Sequence, residues 1–303
     1  MYLYHFGIKE LPFTLTPNTS YFFGLPSHNE ALAVLMTALK TGEGFIKVTG
    51  EVGTGKTLIC RKLLNELPDH FRTAYIPNPY LSPVELRRAV ASELGVELTP
   101  DCDQQEFTQR IQEQLIAINR EQRSAVLIID EAQALPMESI EALRLMTNLE
   151  TESRKLLQVV LFGQPELDEK LALPELRQLK QRITFSYGLK LMDEDQIYQY
   201  VRHRMSVAGY FGQDLFNRQC CKLLLKASDG TPRIVNVLCH KALMLAFGEG
   251  LQLVEPRHVM AAAEDTEAAK PLGVLAKYKL AMVLGGLVVL SIVGLIVMKG
   301  GIT

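Results

Sequence analysis

The chain has 303 residues, 48% of them hydrophobic and 22% charged, which is enough to bury cores in about two domains and excludes a disordered chain. Its formal net charge of -2 supplies no general field for a polyanion, so nucleic acid is not the expected partner. Five cysteines without a C-x-x-C pair fit reduced thiols, with no disulfide and no zinc site, and Met1 to Phe6 lacks the basic and apolar regions of a secretory leader, so the main body is expected in the cytoplasm.

In chain order, residues 1–26 are rich in aromatics and prolines and show no period. They read as an irregular segment on a domain surface or, alternatively, as part of an adenine pocket. Ser27 with Glu30 reads as a capping box opening a helix to about Lys40, ended by Gly42 and Gly44. The strand-like run Phe45–Thr49 then leads into Gly50-Glu51-Val52-Gly53-Thr54-Gly55-Lys56-Thr57 and a helical stretch from Leu58 to Leu64. A strand, a G-x-x-x-x-G-K-[ST] loop and a helix together form a phosphate cradle. Glycines let backbone N–H groups wrap the anion, and the helix aims its positive end at it. In this reading Gly50 to Thr57 and the adjoining Leu58 bind ATP, Lys56 reaches the β and γ phosphates, and the Thr57 hydroxyl ligates Mg²⁺.

Thr73–Ile76 reads as a second strand, and Ser82-Pro83-Val84-Glu85 as a capping box with proline in the first turn of a helix that stops at Gly95. A helix over about 104–120 carries Phe107, Ile111, Leu115 and Ile118 on one face. Ser124–Ile129 is continuously apolar and ends in Asp130-Glu131, which predicts a strand buried on both sides whose carboxyl end faces the ligand crevice. Asp130 is then the second candidate Mg²⁺ ligand, and Glu131 the group that polarises the attacking water. After a helix over 137–150, the strand Leu156–Phe162 ends at Gly163-Gln164, where the Gln164 amide is placed to bond the γ-phosphate or the water, or serves as a polar turn residue. Short helices at 166–171 and 175–181 precede a fifth strand near 184–189. Alternating strands and helices specify a parallel sheet with helices on both sides.

From Asp193 the pattern is purely helical, over 193–208, 217–227, 232–247 and 256–267. Thr231 is the expected cap of the third of these helices, Pro232 its first residue, and Arg233 a cation set against the positive end of the helix. The domains expected are thus an irregular segment 1–26, an α/β nucleotide-binding domain 27–191, a helical lid 192–267 and a linker 268–279. Beyond them, Leu280–Met298 runs nineteen residues without a charge. At ~1.5 Å per residue that is a span close to the ~30 Å of membrane hydrocarbon. Lysines 270, 277 and 279 before it, against Lys299 in the tail 299–303, orient the body to the cytoplasmic side of an inner membrane as a single-pass protein.

These residues together resemble the AAA+ ATPases of the ExeA/GspA type, a group that includes ATPases of mannose-sensitive haemagglutinin pilus biogenesis. The resemblance rests on Tyr4-His5-Phe6-Gly7 with Pro12-Phe13, the loop Gly50–Thr57, Ile129-Asp130-Glu131-Ala132-Gln133, Gly163-Gln164-Pro165-Glu166-Leu167, Leu179–Ile183 and Gly230-Thr231-Pro232-Arg233. It covers about residues 1–267 and implies a P-loop NTPase with a five-stranded sheet in the order 5-1-4-3-2, a helical lid and assembly into a ring-like homo-oligomer. It also implies that Gln164 is the first sensor, that Arg182 (with Arg177 as the alternative) is an arginine finger reaching a neighbour's γ-phosphate, and that Arg233 is the second sensor. Relatives carry a periplasmic peptidoglycan-binding domain after the membrane helix, and this sequence departs from them by ending at Thr303.

The function these features predict is a membrane-anchored ATPase whose partners are inner-membrane lipid and the envelope proteins of a pilus or secretion apparatus. The alternatives are a nucleotide-controlled DNA-binding ATPase of the transposition-target type, disfavoured by the charge, and a non-hydrolysing scaffold, disfavoured by Glu131. A transporter ATPase of the ABC type is disfavoured by the lack of a Leu-Ser-Gly-Gly-Gln signature.

Overall fold

Five strands, β1 (Phe45–Thr49), β2 (Phe71–Ile76), β3 (Ser124–Ile129), β4 (Leu157–Gly163) and β5 (Ile183–Gly188), pair in parallel in the order β2-β3-β4-β1-β5. This is the 5-1-4-3-2 order implied by the resemblance. The computed structural model describes residues 2–96, 104–149 and 155–272. Parallel neighbours require crossovers, and the crossover helices cover both faces of the sheet, so its central strands carry apolar side chains on each side. Accordingly β4 is buried along its whole length and β3 from Ala125 onward.

The pleat divides the core. Phe45, Leu127, Ile129, Val159 and Leu161 face the helices Pro83–Leu94, Gln104–Arg120 and Met137–Met146, while Ile46, Val48, Val126, Ile128, Val160 and Phe162 face the helices Pro26–Thr41 and Lys56–Glu66. Lys47 falls on the first of these faces by its place in β1, and it is tolerated there because its ammonium pairs with Asp168. At the carboxyl edge Thr49 pairs with Gly163 and Ile129 with Leu161. The loops after β1, β3 and β4 therefore emerge side by side.

Local signals explain most element ends. Ser82 and Glu85 form the reciprocal capping box, and Gly95 at φ 79° closes that helix. The box expected from Ser27 and Glu30 does not form. Pro26 starts the helix two residues earlier, Leu25 becomes its N-cap, Ser27 is buried, and Glu30 accepts a hydrogen bond from the Tyr187 hydroxyl at 2.6 Å. Thr231 is the N-cap of the Pro232–Gly248 helix, but its side chain makes no capping bond.

Thr16–Leu191 forms one compact unit, and the described residues on either side of it, 2–15 and 192–272, form another. The segment read as uniformly irregular is thus divided between them, and Tyr2–Phe6 is a short helix. In the second unit Tyr2 shares a hydrogen bond of 2.9 Å with His240 on the Pro232–Gly248 helix. The Arg204 guanidinium, buried in the Glu194–Val207 helix, donates to the Pro12 carbonyl at 2.6 Å and to the Tyr200 hydroxyl at 3.1 Å, and Tyr200 donates onward to Asn236. A long-range clamp of this kind satisfies polar groups that the segment could not satisfy within itself. Gly230, at φ +78°, lies so close to Met192 that a Cβ would stand 2.2 Å from the Met192 carbonyl oxygen.

Among the described residues no helix is long and apolar enough to cross a membrane. The expected span, 280–298, lies outside them. Cys60, Cys220, Cys221 and Cys239 are buried free thiols.

Candidate active site

The loop after β1 is shaped by glycine. Gly53 and Gly55 have φ of 80° and 101°, and a side chain at position 55 would also meet the His28 ring at 3.1 Å. His28, on the Pro26–Thr41 helix, donates from Nε2 to the Thr54 carbonyl at 2.9 Å and so holds the crown of the loop. Burial lowers its pKa, opposed by that same bond. Thr54 is tied to the Glu51 carbonyl through its hydroxyl at 2.8 Å.

Lys56 opens the Lys56–Glu66 helix and is buried, its ammonium donating to the carbonyls of Gly50 at 2.7 Å and Glu51 at 3.0 Å. Burial lowers its pKa, while the charges of Glu131, Asp130, Glu51 and Glu166 act in the opposite direction. The result is a cation held at the base of a glycine loop, where a polyphosphate would need it.

Asp130 follows β3 and is 2% exposed. Burial raises its pKa, opposed first by a hydrogen bond with the Thr57 hydroxyl. A carboxylate and a hydroxyl brought together in this way form an oxygen donor pair of the kind that holds Mg²⁺ beside phosphates, so the residues present fit the cation. The neighbouring residue is treated differently. Glu131 adopts a left-handed turn at φ 52° and is half-buried, and its Oε2 accepts hydrogen bonds from the Gln133 amide at 2.6 Å and the Gln164 amide at 3.0 Å.

The structure thus brings together Gly50 to Thr57, Asp130, Glu131 and Gln164 at one edge of the sheet. Arg182 is half-buried and donates to the Asn148 side chain and, at 3.4 Å, to the Arg144 carbonyl, whereas Arg177 is exposed. Arg233 is exposed in the first turn of its helix, in the other unit. The reading from sequence assigned no role to His28 or Gln133. His28 belongs to no motif, and Gln133 stands in the quoted Ile129–Gln133 run with nothing in its spacing to show that the left-handed turn at 131 folds it back.

A phosphate loop after β1, an acid pair after β3 and a polar amide after the strand between them define a P-loop ATPase, and residues 39–171 match the family described as AAA domain. In keeping with the resemblance to ATPases of the ExeA/GspA type, the chain is 40% identical over 273 residues to General secretion pathway protein A of Aeromonas hydrophila, an alignment covering 90% of this chain. The chain spans 50% of that relative's length.

Among solved structures, Cdc6p from Pyrobaculum aerophilum is similar at a TM-score of 0.62 and 17% identity, covering 82% of this chain and 71% of that one. The Walker-type ATPase of Pyrococcus abyssi gives 0.57 and 17%, covering 91% and 79%. The RuvB branch migration motor of Thermotoga maritima gives 0.52 and 16%, covering 87% and 76%. At these identities the likeness describes the fold.

Proposed function

We propose that this ATPase binds ATP with Mg²⁺ in the loop Gly50–Thr57 and Leu58, and that Glu131 is the general base of hydrolysis. The observation that carries this reading is the division of labour between adjacent acids, Asp130 buried against the Thr57 hydroxyl and Glu131 half-buried and held by two amides. Mg²⁺, held by Thr57 and Asp130, would neutralise phosphate charge. Lys56 binds the β and γ phosphates. Glu131 takes a proton from water as the water oxygen bonds to the γ-phosphorus and the bond to the β–γ bridging oxygen breaks, leaving ADP and phosphate. Gln164 orients the water or the γ-phosphate, and Arg233 serves as the second sensor.

The chain acts as a homo-oligomer in which Arg182 reaches the γ-phosphate of a neighbour, and Arg177 is the alternative. It is anchored in the inner membrane by 280–298 with its body in the cytoplasm, and it drives assembly of a pilus or secretion apparatus. The relative's name, a general secretion pathway protein, supports this setting.

The test of the chemistry is a variant set. Lys56→Ala loses ATP binding, whereas Glu131→Gln keeps binding within about twofold and loses on the order of 10²- to 10⁴-fold in kcat. Equal loss of binding in both makes Glu131 structural. Mixing Lys56→Ala with Arg182→Ala restores some turnover if the finger acts between subunits. A mixture that forms mixed oligomers and stays inactive removes Arg182 from that role. Deleting 271–303 releases a folded ATPase from the membrane fraction, and retention after a high-salt wash would replace the anchor with a peripheral attachment.

A further inference from the structure

We propose that Gln133 is a positioning residue for hydrolysis, pinning Oε2 of Glu131 so that the other carboxylate oxygen is left to receive the proton. The inference rests on the assignment of Glu131 as the base and extends it to a residue outside the loop, the acid pair and the sensor. Gln133 lies in the short turn Ala132–Ala134, and both ends of its amide are used: Nε2 donates to Glu131 at 2.6 Å, and Oε1 accepts from the Gln164 backbone N–H at 3.1 Å. The Gln164 side chain donates to the same Glu131 oxygen at 3.0 Å. One carboxylate oxygen therefore takes two amide donors, and the Gln133 amide is itself tied to the backbone of Gln164.

The turn itself is tied down from the same side. Lys170, in the Pro165–Leu171 helix that follows Gln164, donates to the carbonyls of Gln133 at 2.7 Å and Leu135 at 2.8 Å. The last residue of β4 leaves the amide its space, since a Cβ at Gly163 would stand 3.3 Å from Gln133 Oε1 and 2.6 Å from Leu167 Cδ2. A charge-assisted bond is stronger than a neutral one, and a base held by two such bonds keeps one orientation. Without Gln133 the carboxylate turns on one remaining amide. Orientation errors of about 1 Å at a reacting group cost on the order of 10²-fold in rate.

Two substitutions separate positioning from simple support of the fold. Gln133→Met removes both bonds at similar length. Gln133→Glu keeps an oxygen for the Gln164 N–H but replaces the donor to Glu131 with a second acceptor of like charge. Full-length protein is assayed with MgATP for KM, kcat and nucleotide affinity. Positioning predicts that both variants keep ATP affinity within about twofold and lose about 10- to 100-fold in kcat, with Gln133→Glu at least as slow as Gln133→Met. In the Glu131→Gln background neither adds a further loss. A Gln133→Glu enzyme that turns over at the wild-type rate while Gln133→Met is impaired overturns the proposal and leaves Gln133 as a backbone prop. A fall in affinity matching the fall in kcat overturns it as well. A Glu131→Gln enzyme that itself hydrolyses ATP at the wild-type rate is a separate failure, that of the base assignment.

Discussion

The two units solve the problem of holding polar groups inside a protein in opposite ways. In Thr16–Leu191 the polar groups of interest sit at the carboxyl ends of strands, on backbone that the sheet already holds: Lys56 bonds to Gly50 and Glu51, and Glu131 to Gln133 and Gln164. In the helical unit they join segments far apart, Arg204 to Pro12 and Tyr2 to His240. The first arrangement places chemistry on a frame whose geometry is fixed by backbone pairing. The second uses Arg204 and Tyr2 to close the unit across a long stretch of sequence. The comparison teaches that a buried charge marks chemistry here only when the backbone, and not the charge itself, holds the surrounding elements together.

The largest effect that separates the units is expected at Gly230. Gly230→Ala forces a side chain against the Met192 carbonyl at a left-handed φ and should destabilise the helical unit by at least about 3 kcal/mol. Hydrogen exchange should rise across 192–272 while β1, β3 and β4 stay protected. Equal loss of protection in both would show that the units unfold together and end the contrast.

Arg204→Met comes next. It keeps the apolar stem and removes the donors to Pro12 and Tyr200, at a cost of about 1.5–3 kcal/mol. Proteolysis should open first within 2–15, and a segment as protected as in the parent would mean that the apolar contacts of Phe6 and Phe13 are enough to hold it.

The smallest effect sharpens the contrast within the α/β unit. Burial lowers the pKa of His28 from its ordinary 6.5, so at pH above that value neither the folded nor the unfolded form carries the proton. As pH falls below 6.5 the unfolded chain is protonated first, and stability is lost by up to ~1.4 kcal/mol per pH unit until the folded form titrates. Thermal melts from pH 7.5 to 5.5 should show a slope that His28→Gln flattens. An unchanged slope would assign it to other groups, His240 among them, whose pKa burial also lowers.

Much of the α/β unit was legible because its signals are local. The unbroken apolarity of Ser124–Ile129 announces a strand covered on both sides, the Ser82 and Glu85 box fixes a helix start, and the order of the strands follows from the motifs that carry the resemblance. The Gly50–Thr57 loop and Asp130-Glu131 were legible for the same reason, since each is a short pattern with a physical requirement at every position. What escaped depends on partners distant in sequence or on exact backbone angles. Tyr2–Phe6 is too short to show a period and is helical through contacts on the Pro232–Gly248 helix. Ser27 and Glu30 have the right spacing for a cap, but Pro26 occupies the first helical position and moves the start past them. Gln133 reads as one more polar turn residue until the left-handed Glu131 brings it back onto its own neighbour.

The discontinuity of the helical unit bears on how the chain is made. Its two pieces, 2–15 and 192–272, are separated by the whole of the sheet-bearing unit, which is synthesised between them. At roughly 5–20 residues per second, the Tyr2–Phe6 segment leaves the ribosome about 10 to 50 seconds before the Pro232–Gly248 helix against which it packs. A helix of five residues does not persist alone, so the side chains of Tyr2, Phe6, Ile8 and Phe13, all buried in the finished protein, pass that interval without their native cover. The sheet has time to assemble first. Closure of the helical unit around its earliest-made residues is then a late event in biogenesis, with a window in which a nascent-chain chaperone has apolar residues to hold.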